Sequence, residues 1–158
     1  TLDIFRKDRN RHGGGVLLAI NNNFCPVLLE GYDNGIEAIW VYLKISGRKF
    51  VCATIYRPPN NDEIFLNNVV RAINMICSDF ANHSIIITGD FNFHVDDPSD
   101  KNSSSFLEPK YIALVETRAR AHALYGDSLD PVLSKDVDVS EVIFVNLALL
   151  ITTMYRSP

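Results

Sequence analysis

A carboxylate and a carboxamide two residues apart, Asp90 and Asn92, follow directly on the apolar run Ser84-Ile85-Ile86-Ile87-Thr88-Gly89. Residues two apart on an extended segment face the same side, so their oxygens can converge on one ion or one water. Hard cations such as Mg²⁺ take oxygen ligands of this kind. The same Gly-Asp-Phe-Asn stretch can equally close a strand as an Asx turn, which needs no ligand. Tyr56-Arg57-Pro58-Pro59 is the second candidate. Two prolines stiffen the exit from a strand and fix where a phenol and a guanidinium point, an arrangement suited to phosphate. A surface turn with a packed tyrosine accounts for it too. Asp130 lies near a strand start, where a carboxylate could orient a histidine or merely cap a turn. The segment from Arg6 to His12 is a basic cluster on an acidic chain; it could meet a nucleic-acid backbone, although the pattern favours a solvated loop. His94 and Asp96-Asp97 match no metal-site spacing and read as loop residues.

The elements that must position these groups can be followed along the chain. Gly13-Gly14-Gly15 is a turn, and Val16 to Ile20 reads as a buried strand. Asn21-Asn22-Asn23 is a turn before a short strand from Cys25 to Leu29, which Pro26 places near a sheet edge. Ile36 to Ile45 alternates, with Ile39, Val41 and Leu43 on one face and Trp40 and Tyr42 on the other. The connection Ser46-Gly47-Arg48 and the run Lys49 to Tyr56 complete a β-hairpin. A helix follows over about Asp62 to Phe80, with Asn60 and Glu63 in capping-box positions and one buried face of Phe65, Val69, Ile73, Ile76 and Phe80. Ser84 to Thr88 is the next strand. Ser103-Ser104-Ser105 opens a second helical stretch whose regular part starts near Pro109. Leu129 to Leu133 reads as a weak strand spoiled by Pro131, and Val142 to Ile151 as a strand or a short buried helix. Helices intervene between strands, which argues for a layered α/β domain rather than a bundle.

The chain has 158 residues, 47% of them apolar and 22% charged, with a net charge of −4. That suffices for one domain with a sizeable core. The acidic balance argues against a protein that coats nucleic acid by bulk attraction, but it is compatible with a nuclease centre built on carboxylates. Cys25, Cys52 and Cys77 form no close pair, and reduced thiols are expected, with Cys52 and Cys77 buried. The apolar run from Val142 to Met154 falls short of a membrane span, and no membrane association is expected.

In their order, these motifs resemble a known family. Phe5-Arg6-Lys7-Asp8-Arg9, Gly13-Gly14-Gly15-Val16-Leu17-Leu18-Ala19-Ile20, Glu37-Ala38-Ile39-Trp40-Val41, Tyr56-Arg57-Pro58-Pro59 and Gly89-Asp90-Phe91-Asn92 resemble the endonuclease/exonuclease/phosphatase superfamily. Within it, the resemblance is to the apurinic-type endonuclease domain of non-LTR (LINE-type) retrotransposons. It is dense from about 5 to 106, thins to about 140 and leaves 141–158 as a divergent tail of a single partial domain. The resemblance implies an α/β (α+β) fold, a four-layer αββα sandwich, here incomplete. It implies hydrolysis of a DNA phosphodiester with Mg²⁺ or Mn²⁺. Asp90 matches the aspartate that orients or deprotonates the attacking water, and Asn92 the asparagine that holds phosphate and metal geometry. Tyr56 matches the tyrosine on the scissile phosphate, and Asp130 the aspartate bonded to the catalytic histidine. Arg57, beside them, is expected to contact phosphate on grounds of charge and position. Asp90 and Asn92 are the expected metal ligands. DNA is the implied partner, with a reverse transcriptase domain if the chain belongs to a longer polyprotein, and the implied location is intracellular, nuclear if functional.

The departures from the family pattern carry their own expectations. The family's metal-binding glutamate lies upstream of the triple-glycine strand, whereas the first glutamate here is Glu30. Its closing Ser-Asp-His is also missing, since no aspartate follows Asp138 and no histidine follows His122. We expect a chain truncated at both ends relative to the family, with weak activity or none. The alternatives are a non-catalytic remnant that binds nucleic acid or protein and, less favoured, a phosphoesterase acting on a small molecule or lipid. Unpaired strand edges would make the isolated chain marginally stable or self-associating.

Overall fold

The structure, a computed structural model, describes residues 1–9, 14–58, 63–91, 113–115, 132–136 and 150–153. Its centre is the hairpin of β4 (Glu37–Ile45) and β5 (Arg48–Tyr56), closed by a two-residue turn at Ser46-Gly47. Before it come β1 (Leu2–Asp8), β2 (Gly15–Asn21), a 3₁₀ turn over Asn22–Phe24 and the short β3 (Val27–Leu28). Helix α1 (Glu63–Asp79) and β6 (Ser84–Asp90) follow, and then β7 (Ala113–Val115), β8 (Val132–Lys135) and β9 (Leu150–Thr153).

Two sheets result. One has the order β1-β2-β9 and the other β3-β4-β5-β6-β8-β7. Only β5 and β6 run parallel among these pairings. Parallel neighbours need a crossover, and α1 supplies it. Strand β6 is covered on both faces, which explains its unbroken Ile85-Ile86-Ile87 run.

The larger sheet separates two cores. On one face α1 buries Phe65, Leu66, Val69, Ala72, Ile73 and Ile76 against Trp40, Val51, Ile55, Ile85 and Ile87. On the other, Ile39, Val41, Leu43, Cys52 and Ile86 meet Val16, Leu18 and Ile20 of the smaller sheet. Each fully buried aliphatic side chain is worth ~1.5–3 kcal/mol, so the two faces hold the sheet between helix and sheet. The described residues thus make three layers, helix, sheet and sheet. Among the described residues no helix covers the outer face of the smaller sheet.

Several sequence expectations need correction. The basic segment is not a loop up to Asp8: residues 2–8 form β1, paired with β2 from Leu2↔Asn21 to Asp8↔Gly15. Residues 113–115, expected in a helix, form β7 and pair with β8. The strand expected over 129–133 starts at Val132 and runs to Lys135. In both late strands, pairing with β6 and its neighbours decides the conformation over local preference. The strand read over 142–151 is observed from Leu150; its earlier part, the capping position Asn60 and the helix start near Pro109 lie outside the described residues. Of the thiols, Cys52 is buried, Cys77 is only half-buried and Cys25 is exposed; all three are free.

Candidate functional site

Three strand ends carry the chemistry-bearing residues. Glu37 at the start of β4 is paired with Tyr56 at the end of β5, and Tyr56 is paired with Asp90 at the end of β6. Residues opposite one another in a sheet project from the same face. The three therefore form a row on the side facing the smaller sheet, with Tyr56 in the middle and the backbones of Glu37 and Asp90 about 10 Å apart.

Gly89 makes the close approach of β6 possible. Its φ is +147°, and a Cβ there would stand 1.8 Å from the carbonyl oxygen of Ile55. No side chain fits that space, so the glycine before Asp90 is a condition for bringing the carboxylate beside Tyr56. Beyond the row, the Arg57 backbone N–H donates to the Asp90 carbonyl at 2.8 Å. Arg57 itself is 6% exposed, and its Nη1 donates to the Phe91 carbonyl at 3.4 Å. It ties the two strand exits together from inside the protein.

The smaller sheet reaches over the row from β1. Arg9, just past the strand, grips Glu37 with both edges of its fork: Nε to Oε1 at 2.5 Å and Nη2 to Oε2 at 3.1 Å. Its guanidinium carbon lies 4.8 Å from the centroid of the Tyr56 ring. The hydrogen bonds that Arg9 donates to Glu37 raise the Arg9 pKa above its ordinary value, against partial burial and with a smaller contribution from Tyr56, so the group is a permanent cation. Lys7 makes a parallel link, donating to the Asp33 carboxylate and, at 2.9 Å, to the Ile36 carbonyl. Two residues of the basic cluster therefore tie the end of β1 to β4 and to the loop before it. Arg6, paired with Asp8 at 2.7 Å, is the most exposed of the described three.

Of the sequence candidates, the structure brings together Tyr56, Asp90 and Arg57. Asn92, Asp130, His94 and Asp96-Asp97 lie outside the described residues. Glu37 was not singled out from sequence as a site residue, and Arg9 only as one charge of the basic cluster. The signal was present for Glu37, because a hairpin turning at Ser46-Gly47 counts out to Glu37 opposite Tyr56. For Arg9 no local signal existed, since its partners are distant in sequence. The described residues do not by themselves fit a divalent cation. Both Glu37 oxygens are engaged by Arg9, and no group of three His, Cys, Asp or Glu side chains among the described residues could hold a metal.

In sequence, no family model and no curated protein matches the chain. In structure, the chain superposes on the endonuclease domain of TRAS1, a telomere-specific non-LTR retrotransposon. The TM-score is 0.67 at 9% identity, over 85% of this chain and 67% of that domain. The fold is that of the endonuclease/exonuclease/phosphatase superfamily. The chain also superposes on D. rerio TDP2 complexed with a single-strand DNA product, with TM-score 0.52, 10% identity and coverage of 87% of this chain and 63% of that one. A functionally unknown protein from Enterococcus faecalis V583 matches with TM-score 0.50 at 14% identity, over 85% of this chain and 65% of that one. The chain spans about two thirds of the length of these neighbours. Identities this low show the fold alone, and among the described residues no helix is long and apolar enough to cross a membrane.

Proposed function

We propose that this chain carries part of the centre of a metal-dependent DNA endonuclease, acting by phosphodiester hydrolysis. The observation that carries the reading is the placement of Tyr56 and Asp90 side by side at the ends of adjacent parallel strands. The fold in which they sit is shared with a retrotransposon endonuclease domain and with an enzyme solved with a DNA product. In this reading Asp90 orients or deprotonates the attacking water. The Tyr56 phenol donates to a phosphate oxygen, Arg57 and Asn92 add phosphate contacts, and Asp130 serves a histidine. Mg²⁺ or Mn²⁺ is the proposed cofactor and Asp90 with Asn92 its proposed ligands. Because the described donors do not fit a cation on their own, no step is assigned to it. As part of a longer polyprotein, the chain would work beside a reverse transcriptase domain, in the nucleus.

One observation favours a second reading, binding without cutting: Glu37, the other carboxylate of the row, is engaged by Arg9. Plasmid nicking with Mg²⁺ by the wild type and by Asp90→Ala separates the two. The endonuclease reading expects nicking that falls by about 100-fold or more in the variant, the scale of losing a group that acts on the transition state. Equal background nicking in both would sink it, and DNA binding retained in that case would favour the second reading.

A further inference from the structure

We infer that Arg9 is a positioning residue for Tyr56, fixing the direction of the phenol, and that Glu37 is the anchor that fixes Arg9. Its consequence for nucleic acid rests on the proposed function; its geometry does not. The guanidinium is held from three sides. Its edge meets Glu37 through two hydrogen bonds, and its central carbon lies over the Tyr56 ring, 4.8 Å from the centroid. Behind it stands Gly14, where even a Cβ would be 3.2 Å from Nη1 and 3.3 Å from Cζ. The backbone is held too, with Arg9 N–H donating to the Gly14 carbonyl at 3.2 Å.

A planar fork is the one cationic group that can offer its edge to a carboxylate and its face to a ring at once. An ammonium is a point charge and cannot do both. The Tyr56 ring is buried in the core between the sheets, and the Arg9 contact on it bears on where the hydroxyl aims. Glu37 neutralises Arg9, and the pair therefore acts through Tyr56 rather than as an open cation for phosphate. Arg9 comes from the smaller sheet, while Glu37 and Tyr56 belong to the larger one. The clamp thus couples the seating of the two sheets to the direction of the phenol.

The test uses the full chain with a fluorinated tyrosine at position 56, read by fluorine NMR without DNA, and a labelled duplex oligonucleotide read by fluorescence anisotropy. In Arg9→Gln and Glu37→Gln the fluorine signal shifts and broadens, and Arg9→Lys does not restore it. Arg9→Gln weakens oligonucleotide binding by about 5-fold, but by less than about 2-fold when placed on Tyr56→Ala, because the two residues act as a unit. The salt dependence of binding is unchanged. An unmoved fluorine signal in Arg9→Gln overturns the inference. So does a loss that adds fully to Tyr56→Ala with a salt slope lowered by about one, the mark of an independent phosphate contact. Should Arg9→Gln fail to fold by circular dichroism, Arg9→Lys is the deciding variant, and an unmoved signal there overturns it equally. If the wild type does not bind the duplex, the DNA reading fails and the fluorine arm alone decides the role of Arg9.

Discussion

At the residue scale, the position that does most for the site has no side chain. Asp90 stands beside Tyr56 only because Gly89 lets the β6 backbone come against Ile55. An alanine there meets both a strained φ and a carbonyl oxygen it cannot avoid. Strain and overpacking together cost about 2–4 kcal/mol. Gly89→Ala is therefore expected to lose that much in urea unfolding, whereas a change below about 0.5 kcal/mol would show that the strands can part cheaply. Sequence reasoning found Asp90 and Tyr56 because a carboxylate after Gly and a phenol before two prolines are local signals. Arg57 is expected at phosphate from its charge and position, and burial gives it a bond to Phe91 that neither announces.

At the scale of elements, the turn between α1 and β6 is held by aromatic rings. His83 meets Phe80 edge to face at 5.2 Å and Tyr42 at 5.7 Å. Burial, with the nearby Lys49 and Lys135, lowers its pKa. An imidazole whose folded pKa lies below its unfolded value of about 6.5 takes up its proton first in the unfolded chain. Its contribution to stability is then intact above that value and is lost as the pH falls through it. The thermal midpoint of the wild type should drop between about pH 7.5 and 5.5, across the unfolded value, by more than that of His83→Phe. An identical drop in both would rule His83 out as the cause.

The elements differ in how openly the sequence declares them. The β4–β5 hairpin, α1 and β6 were legible because each combines a clean period with a turn or breaker at its ends. Strand β1 was not, because Arg6, Lys7, Asp8 and Arg9 read as solvated charge. Two of those charges are satisfied by Asp33, in the loop before β4, and by Glu37 of the other sheet, partners distant in sequence. Short strands such as β7 carry too few residues for a period, and their partners in space decide them.

At the scale of the whole molecule, the edges of both sheets expose apolar side chains. Leu2 and Ile4 of β1 are 47% and 62% exposed, and Val27 and Leu28 of β3 are 54% and 44% exposed. Among the described residues both strands are terminal in their sheets. Open edges with apolar side chains template further pairing, so the isolated chain should associate with rising concentration in sedimentation velocity, and Ile4→Lys should reduce that association. A wild type that stays monomeric across the range would refute the expectation.

The way the row is assembled also sets what each part depends on. Tyr56 and Asp90 belong to one continuous β5–α1–β6 unit and are joined by the backbone ladder of adjacent strands. Arg9 reaches the row from just past β1, whose strand belongs to the other sheet, through its side chain. The floor of the site is therefore a property of one sheet, and its clamp is a property of how two sheets meet.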